Sequence, residues 1–381
     1  MALCGAALLS LSCDSANGPV PLGTSDLLVV STVMRSDSAP LAVIEPGSGR
    51  ITGHIGPLPR LTNRGALSPD HSTLYMFAEL DNPTSELVAI DSRSLQIEWR
   101  MRIATLEQQA LGDSLPIAIG GDIMSVTPDG KRLLLNATEE NAAGFAIFDL
   151  SARIVTGFDP LVSIVDLASL APSTDLPNGA VLVAGVRQVG PALYTGMFYV
   201  LDGATLAVRD SVTVTPPTDD PAAGMQQVLP SADGQFAYIV GPQQFRYDLT
   251  SRRLTDSTPT PSYGWLSMSG DGNTLYRSDF GTFDSPGSGN IFVYDADLVP
   301  RAPIDISQIA PSPDAPEQPV VNDNAATSPD GKLLYVAVGT PEAGGYGVYE
   351  PSRLLVIDRT TYALVRSISL AGSSPEIVLV R

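Results

Sequence analysis

The residue types most used for catalysis are nearly missing from this chain, so any chemistry falls to carboxylates, arginines, tyrosines and tryptophan. There are two histidines, His54 and His71, and two cysteines, Cys4 and Cys13, both within the first 13 residues. A Ser-His-Asp triad would need one of the histidines, and no Gly-x-Ser-x-Gly elbow accompanies either. Cys-x-x-Cys-His, His-Glu-x-x-His and Walker A sequences are absent, which leaves no covalent haem, zincin or phosphate-loop signature. The candidates that remain are Arg64, Asp122, Gln227, Tyr263, Trp265, Asn324 and Glu376, polar and aromatic residues that enter successive repeats at similar places. Asp122 and Glu376 would form an acid/base pair if burial held their pKa values apart. The same seven residues would also serve to cap strands and bond loop backbone, and residue type alone does not separate these uses. Arg187 and Tyr194 are weaker additions.

Acids dominate the charge. Twenty-two basic residues face 41 acidic ones, a formal charge of -19, so a phosphate backbone would be repelled and no nucleic-acid partner is expected. Glu139, Glu140, Asp219, Asp220, Asp279, Asp284, Asp314 and Asp323 fall on long connections and would make that surface negative, open to a cationic ligand. Asn322-Asp323-Asn324 offers oxygen ligands suited to Ca²⁺ but lacks the spacing and glycine of an EF-hand loop, so a solvated acidic loop is the simpler reading and no cofactor is expected.

The elements that must position these residues are strands. Glycine and proline number 34 and 32 in 381 residues, which demands many turns, and helical periodicity is nowhere sustained. An apolar run closed by an acid, then a short turn and a second alternating run, recurs seven times: Leu41–Glu45, Leu87–Asp91, Phe145–Asp149, Phe198–Asp202, Phe245–Asp248, Ile291–Asp295 and Leu354–Asp358. Successive acids lie 46, 58, 53, 46, 47 and 63 residues apart. Upstream of most sits a turn, Ser68-Pro-Asp-His71, Thr127-Pro-Asp-Gly130, Ser231-Ala-Asp-Gly234, Ser269-Gly-Asp-Gly272 or Ser328-Pro-Asp-Gly331, with a degraded copy at Leu176-Pro-Asn-Gly179. Pro presets the first turn dihedral, Asp bonds its own backbone, and Gly accepts the positive φ that follows. Four short strands per unit of this length are the signature of a propeller blade. The expectation is an all-β, seven-bladed β-propeller of four-stranded antiparallel blades over residues 26–381. Its ring would be closed by the C-terminal strand 375–381 pairing with the N-terminal strand 26–33, because the first repeat lacks an inner strand and the last leaves one over.

The seventh repeat, Ser328-Pro-Asp-Gly-Lys-Leu-Leu-Tyr-Val-Ala337 followed by Arg353-Leu-Leu-Val-Ile-Asp-Arg-Thr-Thr-Tyr-Ala-Leu-Val-Arg-Ser-Ile368, resembles the YVTN-type, surface-layer-like repeat of bacterial and archaeal propellers. The likeness fades through the other repeats. It implies a fold and an extracytoplasmic setting more than an activity. Residues 1–13 resemble a lipoprotein signal with Cys13 as the lipidated residue, although Ser10 and Leu11 depart from the usual box and no Lys or Arg precedes Arg35. Residues 14–25 read as a flexible tether. The protein is therefore expected at the periplasmic or outer cell surface, with the membrane reached only through a lipid anchor.

In such blades the tight turns share one face and the long connections the other. Segments 104–122, 159–175, 215–225, 279–289, 307–324 and 339–352 are long, so the sequence points to that face and its channel mouth as the working surface. His54 falls on an outer strand and His71 in a turn on the opposite face, neither at that mouth. The leading expectation is a non-enzymatic binding or scaffold propeller holding a protein or small ligand on the long-loop face. The alternative is an extracytoplasmic enzyme resembling lactonase or quinoprotein-dehydrogenase propellers, and an inert spacer in an envelope assembly is a third reading.

Overall fold

The structure, a computed structural model, describes residues 28–33, 41–45, 48–55, 60–79, 85–111, 117–139, 142–161, 164–173, 179–215, 219, 227–241, 243–259, 264–279, 281–282, 285–286, 288–311, 321–341, 348–370 and 373–380. The signal-like segment with Cys13 and the tether lie outside this set.

The architecture is all-β, built of four-stranded antiparallel blades, and among the described residues six blades each draw their four strands in order from one stretch of the chain, with a small hairpin, Gly281–Thr282 and Ser285–Pro286, inserted in the fifth. Blade one runs Arg60–Leu67, Thr73–Glu79, Glu86–Asp91 and Ile97–Arg102. Blade two comprises Ile117–Val126, Arg132–Glu139, Ala142–Asp149 and Ile154–Pro160. Blade three has the longest central pair, Ala180–Gly190 and Leu193–Asp202, between Ile164–Ser173 and Val208–Thr213. Blade four is Gln227–Pro230, Phe236–Val240, Gln243–Asp248 and Arg253–Pro259. Blade five is Leu266–Met268, Thr274–Arg277, Asn290–Asp295 and Ile304–Asp305. Blade six is Val321–Thr327, Leu333–Pro341, Val348–Asp358 and Leu364–Ser369.

The expected closed ring of seven like blades is corrected by this arrangement: the chain makes six blades, not seven. Among the described residues the strand beside Leu28–Val33 on its inner side is Ser373–Val380 from the other end of the chain, so the segment Leu41–Glu45, which carries the repeat's apolar run and acid, belongs to no contiguous unit. It sits instead in a composite sheet ordered Arg50–Ile55, Leu41–Glu45, Leu28–Val33, Ser373–Val380. Its terminal pairing breaks register between Val29 and Val30 and again between Thr32 and Val33. Counting apolar runs that end in an acid counts this composite as one more blade, although two distant parts of the chain build it.

Blades bury both faces, so their middle strands carry apolar side chains on each side. Alternation along Ala142–Asp149 sends Phe145 and Ala143 into the cluster shared with blade three, and Ala146 and Phe148 into the cluster shared with blade one. Tyr276 and Ile291 of blade five meet Leu334 and Val336 of blade six in the same way. The composite sheet packs Val43 against Leu74 and Val88 of blade one, and Ile44 and Ile377 against Tyr335 and Leu354 of blade six.

Two further differences concern helices. A nine-residue helix, Ile103–Leu111, and a one-turn helix, Ile306–Ile309, occupy parts of segments expected to be loops. Among its described side chains the first buries Ile103 and Leu106, one i,i+3 pair, which is too short a stripe to register as helical periodicity. Among the described residues no helix is long and apolar enough to cross a membrane.

The recurrent acid has a structural use. Asp91, Asp149, Asp202, Asp248 and Asp358 each accept, through Oδ1, the backbone N–H groups two and three residues on, which ends the third strand and turns the chain into the fourth. The Ser/Thr-x-Asp turn between first and second strands is built as regularly. Its hydroxyl donates to the Asp carboxylate at 2.5–2.7 Å in all five copies. The same oxygen accepts the backbone N–H five residues on at 2.9–3.1 Å.

These bonds favour ionised carboxylates. The Ser68 hydroxyl, then the Ser72 N–H, hold Asp70 down to about 2. The Ser269 hydroxyl does the same for Asp271, and Ser328 with Lys332 for Asp330, each to about 2. A folded-state pKa below the unfolded value of about 4 contributes stability above pH ~4 that is lost as pH falls toward 2. Acid unfolding followed by circular dichroism is accordingly expected between about pH 4 and pH 2, with Asp330→Asn flattening part of that slope. Leu334, fully buried between blades five and six, is expected to cost about 2–5 kcal/mol on replacement by alanine, measured by urea denaturation.

Candidate functional site

The innermost strands of blades five and six run toward their tight turns with small side chains near the end, Ser267 and Ala326, at the place where blade four has Leu229, two residues before the Ser of the turn. Small side chains there leave space. A cavity of about 990 Å³ follows these strands from Gln227 and Leu266 to the tight turns, where Pro69, Asp70 and His71 of blade one and Pro329 of blade six reach it. Met268, Ala325 and Ile377 give it apolar walls, and Arg93 lines it from the second turn of blade one. The cavity is thus lined by the tight turns, on the face opposite the one to which the long connections point. His71, expected in a turn on the face opposite the long connections, lies there and lines this cavity.

Of the residues selected from sequence, Gln227 is the one with a described side chain in the cavity, and its amide is already engaged. Its Nε2 donates to Leu266 O at 3.0 Å, while Leu266 N–H donates to its Oε1 at 2.6 Å. This two-way bond ties the innermost strands of blades four and five, which share no backbone ladder. Trp265 bonds through its backbone, with its N–H donating to Ser278 Oγ at 2.8 Å and its carbonyl accepting from Ser278 N–H at 2.9 Å. The close approach there requires the neighbouring Gly264, where a Cβ would fall 1.8 Å from Ser278 O.

Arg64, Asp122 and Asn324 have described backbones only. All three sit where the inner ladder is interrupted, between Thr62 and Ala66, Ile119 and Met124, and Asn322 and Ala325. Bulges of this kind re-aim side chains and gather near binding sites. Glu376 faces Ser31 across the composite ladder, again as backbone, and Tyr263 lies outside the described residues. Arg187 and Tyr194 flank the tip of the long hairpin of blade three, paired with Thr195 and Gln188.

Among the loop acids, Asp219 is exposed and Asp279 is buried. Glu139 and Asp323 are described as backbone, and Glu140, Asp220, Asp284 and Asp314 lie outside the described residues. Asp279 anchors its loop by accepting Ser288 N–H at 2.7 Å together with the Ser288 hydroxyl. Beside it Arg277 is fully buried. Burial pushes its guanidinium down to about 10, while Tyr294 and Asp279 oppose that shift, so it stays charged at neutral pH. Sequence reading missed this arginine because its strand, Thr274–Arg277, ends a run that reads as ordinary core. Among the described residues no group of three or more His, Cys, Asp or Glu is placed to hold a metal.

Two polar features of the cavity remain for a ligand. The Ser267 hydroxyl is buried and has no hydrogen-bond partner among the described residues. The rim carries His71 and Arg93, both exposed.

No protein-family model matches the chain, the YVTN-type repeat included, and no curated protein sequence matches it. Solved structures do. The periplasmic gluconolactonase PpgL of Pseudomonas aeruginosa superposes with a TM-score of 0.58 at 16% identity, covering 93% of this chain and 100% of its own. A functionally unknown protein from Desulfotomaculum acetoxidans DSM 771 gives 0.57 at 13% identity, covering 92% of this chain and 98% of its own. The dihydro-heme d1 dehydrogenase NirN gives 0.54 at 13% identity over 92% of this chain and 75% of its own. At such identities these likenesses establish the propeller fold alone.

Replacing Gln227 by leucine would leave the N–H and C=O of Leu266 without their partner. A loss of about 1–3 kcal/mol is expected in urea denaturation, with Gln227→Glu recovering little because it removes the Nε2 donor.

Proposed function

We propose that the protein is a binding propeller that holds a small, partly apolar organic molecule in its axial cavity, without chemical conversion. The observation that carries this reading is the cavity itself, whose volume lies at the upper end of the range for small-molecule sites, with an apolar wall of Met268, Ala325 and Ile377 beside polar groups that include Gln227, Ser267 and Thr327. The buried Ser267 hydroxyl, with no partner of its own, supports a ligand that supplies a hydrogen-bond acceptor or donor at that depth. Cysteine is absent from residues 14–381, and the one histidine at the cavity has no described carboxylate partner that would make it a catalytic base. We propose an extracytoplasmic setting, with Cys13 as a lipid anchor, from the signal-like character of residues 1–13. The periplasmic location named for the Pseudomonas gluconolactonase agrees with it.

An enzyme acting on lactones is the second reading, favoured by His71, Asp70 and Arg93 lining one cavity. A thermal-shift screen of small organic molecules, run on the wild type and on Met268→Trp, tests the proposal. Ligands are expected to raise Tm in the wild type and to lose that effect when the indole fills the cavity. Ligands that stabilise both proteins alike would place binding elsewhere, and turnover of lactones by the wild type would replace the binding reading with the enzymatic one.

A further inference from the structure

Comparison of the repeats within this one chain separates blade one from the rest. The fourth residue of the Ser/Thr-x-Asp turn is left-handed in every described copy. It is glycine at Gly130, Gly234, Gly272 and Gly331, with φ of 67–72°, and histidine at His71, with φ of 59°. A side chain in this conformation costs roughly 1 kcal/mol that glycine avoids. The fold therefore prefers glycine there.

The second turn departs at the matching place. Two residues after the acid that ends the third strand stand Ser151, Ala204, Thr250, Asp297 and Thr360 in blades two to six, but Arg93 in blade one. Between acid and arginine lies Ser92, where the other blades have Leu150, Gly203, Leu249, Ala296 and Arg359. Ser92 is buried, its Oγ is 2.6 Å from His71 O and 2.9 Å from Ser72 O, and its N–H donates to Ser72 O at 2.8 Å. The hydroxyl thus locks one turn onto the other, and His71 and Arg93, one from each turn, both line the cavity.

We propose that His71 and Arg93 form a clamp for the carboxylate of the cavity's ligand, which makes that ligand an apolar monocarboxylate. This rests on the cavity-binding reading above. Arg93 offers guanidinium donors in a planar fork, and no ion pair or hydrogen bond engages its side chain among the described residues. The neighbouring Asp70 carboxylate already accepts Ser68 Oγ, Ser72 N–H and Ser72 Oγ through one oxygen. Its fixed negative charge repels a dianion more strongly than a monoanion, which favours a single carboxylate over a phosphate. The apolar body of the ligand lies against Met268, Ala325 and Ile377, with Ser267 Oγ at depth.

The test is calorimetric titration with a series of monocarboxylates, benzoate, 4-phenylbutyrate and decanoate, each paired with its alcohol and with its phosphate monoester. At least one carboxylate is expected to bind about tenfold or more tightly than its alcohol and its phosphate ester. His71→Gly and Arg93→Ser, the residues that other blades place there, are each expected to remove that preference. His71→Gly should do so without lowering Tm by more than a few degrees, since glycine relieves the left-handed strain while loosening the unfolded chain. A marked fall in Tm with the carboxylate preference intact would make His71 merely structural and overturn the clamp. If no carboxylate outbinds its alcohol, or a phosphate ester outbinds its carboxylate, the clamp is overturned while the cavity reading stands on its own screen. Met268→Trp abolishing all binding in the series would keep the two failures distinct.

Discussion

The tight turn that closes each innermost strand is the constraint on which the rest depends. Its hydroxyl satisfies a carboxylate on one side and a backbone N–H on the other, and a left-handed fourth residue brings the chain straight back as the second strand. Because the turn uses so few residues, the innermost strand ends abruptly, and in blade one the residue in the left-handed position, His71, lines the cavity. Four described copies place nothing there but glycine hydrogen. The fifth places an imidazole, so a local rule of backbone geometry is broken where the molecule has a cavity to serve. Strain of this kind in a repeated framework is informative because the same chain supplies the unstrained control.

The blades themselves rest on burial between sheets rather than within them. A four-stranded sheet of such short strands cannot cover its own faces, and the apolar clusters all lie between neighbours. Polar bonds then fix what burial leaves loose. Gln227 stitches two inner strands that have no ladder in common, and Asp279 pins a connection beside the buried Arg277. The scarcity of cations sharpens the meaning of those present. In a chain of charge -19, Arg93 places a cation on the cavity lining, and no ion pair engages it among the described residues.

Much of this was legible in the sequence. The Ser-x-Asp-Gly turns and the acid at the end of each third strand were readable because both are chemical necessities at fixed offsets, and each is satisfied as its residue types require. The blade count was not, because Leu41–Glu45 carries the same local signal as a contiguous unit while its sheet draws on both ends of the chain. Helix Ile103–Leu111 escaped notice since one buried pair sets no periodicity. The cavity proposed here as the binding site was not legible for a different reason: loop length points to the opposite face, whereas small side chains of the cavity lining, Ser267, Ala325 and Ala326, take on meaning only when strands from several blades converge. His71 was written in the sequence all along as the histidine in a turn that elsewhere ends in glycine, but composition made it look isolated, and only the fold brings it and Arg93 to the lining of one cavity.

The most direct measurement is methyl nuclear magnetic resonance on protein labelled at methionine and alanine, titrated with the tightest monocarboxylate. Shifts are expected at Met268, Ala325 and Ala326, with Met76, buried between blade one and the composite sheet, unmoved. Saturable binding that leaves the three cavity methyls unshifted would contradict the assignment of this cavity as the protein's binding site.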